Sequence, residues 1–487
     1  MSEKEKELLA GENQPTSRRQ AEEEKRAKRK KRDFWIKIVV GLCVVLCVVL
    51  TVFESNFFYR SIKAVDVEGT EYSVAEYNWL YTNSYYEIYN SLYNTYGSYV
   101  SYIIDSSKPL SEQQYSEDQT WADYLREYTD ESIKTMTALY DEAKANGYEM
   151  DESHYSRIDS EWSTIEATAK NYGTDTASFL VSSYGRGVNE KVYREMYERY
   201  LYAYSYADSV REGFEISSED IDDRYNEDRT AFDTVSYNYY YVNGIATDDQ
   251  TDEEAMAAAK EKAEEILADS NMNAYLELNY DAELSEVRYS PYANISSTYA
   301  DWLFDDARVA GDKDIFEAAG GYYIIEFVEK NDLHYNVVSV RHILVQPDDT
   351  SSDESWDAAL EKAEGYVETW NDLGGGEDNF SYIAMAYSSD SGSASNGGLY
   401  SNIAKGQMVQ EFEDWCFDPA RKEGDTDIIK TTYGYHIMYF VEEGEEYYTY
   451  VIDNTIRSER YTEYADALVE DYSVKDRSGK NFVGKHI

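Results

Sequence analysis

Of the five histidines in this 487-residue chain, His342 and His436 are the two whose surroundings suggest a shared task. Each lies in a run of apolar residues, VRHILV (340–345) and YHIMYFV (435–441), of the kind that forms β-strands. Two imidazoles on neighbouring strands can hydrogen-bond each other and fix one tautomer, a buried polar network whose desolvation is tolerated mainly at a site. A single strand histidine would ordinarily be a core residue. Zinc would need further ligands, and none stands at a recognisable spacing, so no metal and no cofactor are expected.

The strands that must position the two imidazoles belong to a repeat. Residues 301–329, DWLFDDARVAGDKDIFEAAGGYYIIEFVE, align without a gap on residues 414–442, DWCFDPARKEGDTDIIKTTYGYHIMYFVE, with 16 of 29 positions identical. Upstream, FDTVSYNYYYV (232–242) stands to NVVSVRHILV (336–345) as a weaker match. Each copy opens on a β-rich run, continues through helices and closes on a strand, which implies a small antiparallel or mixed sheet covered by helices. In the first copy Tyr239 and Tyr323 occupy the histidine positions, so only the second copy keeps both imidazoles.

Four ordered motifs, VRHILV, YSSDSGSASNGG (387–398), GQMVQEFED (406–414) and TTYGYHI (431–437), together resemble the parvulin family of peptidyl-prolyl cis/trans isomerases over about residues 335–442. The resemblance implies that His342, His436 and Asp390 form the catalytic group. It implies that Met408 and Phe412 wall a proline pocket, with Gln407 as their polar neighbour and Thr431 hydrogen-bonded within the histidine network. Where the family usually continues Asp-Leu-Gly after the glycine pair, this chain has Leu399, Tyr400 and Ser401, so Tyr400 stands where a leucine completes the pocket. Met408 and Phe412 are four apart and are expected to share one face of a helix. Outside that motif they would read as core residues, and Asp390 as a turn former. Cys416, aligned with Leu303, is expected to be a buried small hydrophobe. The first copy is expected to be an inactive parvulin-like domain. Only Arg341 adds positive charge near the opening strand, which argues against selection of phosphorylated substrates.

At the amino terminus, residues 34–53 form an apolar stretch long enough for a bilayer and broken only by Lys37, directly after KRAKRKKR (25–32). The expectation is an uncleaved, single transmembrane anchor in the plasma membrane, with residues 1–33 as a basic cytoplasmic tail and the bulk of the chain extracytoplasmic. Beyond the anchor stand 33 Lys+Arg against 88 Asp+Glu, a net of about −55. That surplus opposes any grip on a phosphate backbone, and nucleic-acid partners are not expected. Three cysteines, two within the apolar stretch, exclude a disulfide framework.

Residues 60–230 read as mostly helical, from a capping box at Ser73 and Glu76 through segments near 119–145, 151–171 and 187–213. The 51 tyrosines of the chain either replace Leu and Phe in helix cores or line an aromatic cradle for unfolded chains. The expected class is α+β: a transmembrane helix (34–53), a helical chaperone-like domain (60–230), a degenerate parvulin-like domain (231–330), a parvulin domain (335–445) and a helical extension (446–487). With the anchor and helical region, the chain resembles the parvulin-type foldases of the bacterial envelope, acting on X-Pro bonds of unfolded, newly exported polypeptides. The alternatives are a non-enzymatic holdase with peptide-binding modules, and a surface adhesion protein, which leaves the paired histidines without a purpose.

Overall fold

The computed structural model describes residues 18–53, 55–247 and 250–486. The chain is mixed α+β and divides into two compact units, residues 1–213 with 460–487, and residues 214–459. Helix Tyr447–Val469 runs through the second division point.

The long first helix, α1 (Arg18–Phe53), contains the apolar stretch expected to cross a membrane. Among the described residues, no helix is long and apolar enough to do so. The first half of α1 is charged, carrying the basic run 25–32, so only its second half is apolar. Residues 1–17 of the expected tail lie outside the described residues.

The segment expected to be helical from residue 60 instead begins with an antiparallel pair, β1 (Lys63–Val67) and β2 (Thr70–Ser73). Glu68 and Gly69, both at positive φ, make the tight turn between them. Ser73 and Glu76 then form the capping box that starts α2 (Val74–Tyr96). It is followed by α3 (Trp121–Ala145), α4 (Glu152–Asn171), α5 (Thr176–Tyr184) and α6 (Glu190–Glu212). Tyr72, Tyr77 and Tyr81 are fully buried in this core, and two of their hydroxyls are paired: Tyr72 with Thr137 at 2.7 Å, Tyr77 with Asp130 at 2.8 Å. The carboxy-terminal residues, read from sequence as a helical extension, also supply strand Val474–Asp476, which pairs antiparallel with β1.

The second unit contains the repeat as two four-stranded antiparallel sheets. The first comprises β3 (Thr234–Asn243), β4 (Ser285–Pro291), β5 (Lys313–Ala318) and β6 (Gly321–Lys330), in the order β4-β3-β6-β5, with α7 (Asp252–Ala268) packed on it. The second comprises β7 (Asn336–Val345), β8 (Leu399–Ile403), β9 (Thr426–Thr431) and β10 (Gly434–Glu446), in the matching order β8-β7-β10-β9. Helices α8 (Asp353–Asp372) and α9 (Glu377–Tyr387) cover one face of this second sheet, and α10 (Gln410–Cys416) covers the other.

Candidate active site

Strand alternation delivers the two histidines to one face. On β7 and β10, Ile343, Val345 and Ile437 point into the core under α8 and α9, while Val338, Val340, Met438 and Phe440 point into the core under α10. His342 and His436 continue this second stripe at a spacing of two. The register pairs His342 with Met438 and His436 with Leu344, placing the imidazoles diagonally across adjacent strands. Their Nδ1 atoms are 3.0 Å apart and their rings lie nearly parallel at 5.2 Å. Both residues are buried.

Asp390 reaches the same place from the loop after α9. Ser389 N–H donates to the Leu344 carbonyl at 2.9 Å, and the Ser388 hydroxyl accepts from Leu344 N–H, so the loop is fastened to β7 beside His342. Asp390 Oδ2 lies 2.8 Å from His342 Nε2 and accepts from Ser393 Oγ at 2.5 Å and Tyr400 OH at 3.0 Å. The bond to His342 holds the Asp390 carboxyl well below the usual carboxylate range, with Ser393 and the Gly392 amide reinforcing it against burial. Gly398 permits this approach: a Cβ there would sit 2.2 Å from the His342 carbonyl oxygen, and its φ is +73°.

These contacts set a direction for the protons. An ionised Asp390 can only accept, so His342 Nε2–H donates to it, and in the neutral tautomer that this bond favours Nδ1 is the acceptor. His436 Nδ1–H donates to that acceptor, leaving His436 Nε2 to accept from Thr431 Oγ1 at 2.9 Å. Thr431 Oγ1 in turn accepts from Tyr433 N–H at 3.1 Å. Burial, helped by His342, lowers the His436 pKa to about 4, so this imidazole is neutral at pH 7.

Phe412, on α10, sets its ring edge-on to both imidazoles, at 5.4 and 5.5 Å, and is 2% exposed. Met408 does not share its helix as expected. It lies in the turn before α10, whose flanking residue Val409 is extended, because the chain must first pass Gly406 at φ +87°. Met408 and Tyr400 are both half-buried and pack on the core that contains Phe412. Gln407 is exposed, and its Oε1 accepts from Ala404 N–H at 3.0 Å, bracing the turn. Ser393, 1% exposed, is a site residue the sequence reading passed over; a serine three after Asp390 in a turn-forming loop was its signal. Arg341 is engaged by Glu377 at 2.9 Å. Cys416 is buried, and burial raises its thiol pKa. Among the described residues, no group of three or more His, Cys, Asp or Glu side chains could hold a metal ion.

The other three histidines lie apart from this group: His154 pairs with Asp151, His334 with Glu446, and His486 with Thr82.

Residues 322–443 match the PPIC-type PPIASE domain, a stretch beginning inside β6. The foldase protein PrsA of Geobacillus kaustophilus is 36% identical over 114 residues, covering 23% of this chain and 34% of that protein. The chaperone SurA of Methylococcus capsulatus is 27% identical over 161 residues, covering 32% and 34%. Among solved structures, the peptidyl-prolyl isomerase ESS1 from Candida albicans is 25% identical over 22% of this chain and 62% of that chain, with a TM-score of 0.18. The match spans 34% of the length of each of these curated relatives. The paired-histidine sheet and the match over it make the carboxy-terminal module a parvulin-type rotamase domain, within a chain similar to the PrsA and SurA foldase–chaperones.

Proposed function

We propose that this chain is a membrane-anchored, extracytoplasmic foldase that catalyses cis/trans isomerisation of X-Pro bonds in exported polypeptides and holds them through its helical unit. The observation that carries the reading is the directional network from Thr431 through His436 and His342 to Asp390, set beside the core on which Met408 and Tyr400 pack.

Rotation about the peptide bond faces a barrier of ~18–20 kcal/mol because amide resonance must be given up. That resonance places partial negative charge on the carbonyl oxygen of the planar amide. A fixed carboxylate facing this oxygen raises the planar state relative to the twisted one, where the charge has faded. Asp390 is suited to the task because His342, Ser393 and the Gly392 amide hold it ionised and oriented. Met408 and Tyr400, backed by Phe412, grip the pyrrolidine ring while the remainder of the amide turns. No bond is made or broken, so neither nucleophile nor cofactor enters the step.

The test is isomerisation of a proline-containing tetrapeptide by the full chain, compared with Asp390→Ala and Met408→Ala. Catalysis that disappears in both variants supports the reading. A rate in the unmutated chain equal to the uncatalysed one removes it. For the anchor, which rests on the apolar stretch 34–53 and its basic flank, the chain should stay in the membrane pellet through alkaline extraction.

A second reading, a holdase without catalysis, draws on Tyr400. Its hydroxyl occupies Asp390 where the family has an apolar leucine, leaving the carboxylate fewer free lone pairs. Full suppression of aggregation by the Asp390→Ala chain, with no isomerisation by either protein, would favour it.

A further inference from the structure

Glu413 is the one acidic residue of the second module that is buried on α10, its side chain 4% exposed, and the repeat shows how unusual that is. Two residues past Phe412 stands Asp414, the partner of Asp301, so Glu413 corresponds to Ala300 in the first module, which is fully buried and apolar. A carboxylate has replaced a methyl group in a core position, which is costly unless it is paired and hydrogen-bonded. Burial raises its pKa, and the Gly406 amide and the Arg288 charge act against that rise.

The partners come from two places. Gly406 N–H, in the turn that carries Met408, donates to Glu413 Oε2. Arg288, on β4 of the first module, brings its guanidinium to 3.5 Å from Glu413 Oε1 and 3.8 Å from Asp414. The same turn meets the first module again at Tyr289, whose own φ is +49°. A Cβ on Gly406 would lie 2.6 Å from Tyr289 Cβ. Next to it, Lys405 N–H donates to Tyr335 OH at 3.1 Å, and its ammonium lies 4.7 Å from the Tyr335 ring and 5.8 Å from the Tyr289 ring. The irregular middle of β4 at 288–289 and the linker residue Tyr335 thus enclose the backbone of residues 405–406.

We propose that Arg288 of the first module is a positioning residue for the proline slot of the second: through the buried carboxylate of Glu413 it holds the turn 404–409 in the conformation that presents Met408. The histidine-free module is therefore retained as a buttress for its active neighbour. Arg288 touches neither the imidazoles nor Asp390, so it sets how well the ring is gripped rather than the electrostatics of the turning amide. This inference rests on the foldase reading for its kinetic consequence and on geometry alone for its structural one.

The experiment compares the full chain with Arg288→Ala, Glu413→Gln and the double variant. In Arg288→Ala, KM for a proline tetrapeptide is expected to rise roughly 5-fold with kcat within about 2-fold, the pattern of a lost ground-state grip. Amide hydrogen exchange at residues 405–408 should quicken by about 10-fold while β7 and β10 keep their protection. In the Glu413→Gln background, where no buried charge needs neutralising, Arg288→Ala should change KM by less than about 2-fold. Unchanged exchange at 405–408, equal acceleration throughout the second module, or additive KM effects in the double variant would each overturn the proposal. An unmutated chain without isomerase activity would remove the foldase reading and leave the exchange comparison to decide the buttress.

Discussion

The two modules of the second unit share a sheet and differ in what stands on it. Tyr239 pairs with Ile325 as His342 pairs with Met438, and Tyr323 with Tyr241 as His436 with Leu344. Tyr299 stands two residues before Asp301 as Phe412 stands two before Asp414. In the second module, however, Phe412 faces two hydrogen-bonded imidazoles, whereas Tyr299 packs against Tyr237 at 5.9 Å and Tyr323 at 5.3 Å in a continuous aromatic cluster. The lesson is that backbone register preserves the places of the paired side chains while their chemistry changes: the hydrogen-bonded imidazoles give way to an aromatic cluster, and Thr431, which bonds His436, gives way to Ala318.

The comparison can be broken first at the aromatic that both modules share. Phe412→Ala removes a fully buried ring from beneath the imidazoles and is expected to destabilise the chain by ~3–5 kcal/mol, read by urea denaturation. A loss below about 1 kcal/mol would mean that the slot is not part of the packed core.

Acid should separate the modules next. His436 has a folded pKa lowered to about 4 from the ordinary 6.5, so between those values the unfolded chain binds more protons and stability rises with pH. The second module should keep full stability above pH 6.5 and lose on the order of 3 kcal/mol as pH falls toward 4. Asp390, also lowered, adds a further loss below its ordinary range near pH 4. Replacing His436 by Tyr, as in the first module, should reduce the slope between pH 4 and 6.5, the remainder belonging to buried His486, whose pKa is likewise lowered to about 4. A stability curve with the same slope in both proteins would contradict the assigned neutral imidazole.

Activity provides a third contrast. His436→Ala or Asp390→Ala should lower isomerisation of a proline tetrapeptide by ~100-fold, the scale for loss of one preorganised polar group. Tyr323→Phe, at the equivalent place in the first module, should leave it within about 2-fold. A comparable fall in Tyr323→Phe would assign catalysis to both modules.

The smallest expected effect sharpens the comparison within the second module alone. Tyr400→Phe frees one lone-pair direction on Asp390 while keeping the ring, and a rate increase of ~2–5-fold is expected. A decrease would instead make the hydroxyl part of the machinery.

Much of this arrangement was legible without coordinates. The gap-free repeat, the histidine pair and the loop aspartate are local patterns, and strand alternation carries them to one face once the strands pair. Helix starts were legible where the cap is a local exchange of hydrogen bonds, as at Ser73 and Glu76. The turn placement of Met408 was not, since a spacing of four fits a helix and the interruption comes from Gly406 pressed against Tyr289 of another module. Nor was the end of the chain: Val474–Asp476 is too short to show a period and becomes a strand only because β1, some 400 residues earlier, offers an unpaired edge.

What the amino-acid sequence determined by itself is therefore the inventory: two copies of one sheet, one with imidazoles, an acidic exterior and an apolar stretch behind a basic flank. The tertiary structure alone decided which atoms meet. It joined Ser393 and Tyr400 to Asp390, oriented the protons from Thr431 to the carboxylate, and brought Arg288 to a buried Glu413. Those meetings depend on side chains far apart along the chain converging within about 3–4 Å, a condition set by packing and long-range pairing that no local periodicity encodes.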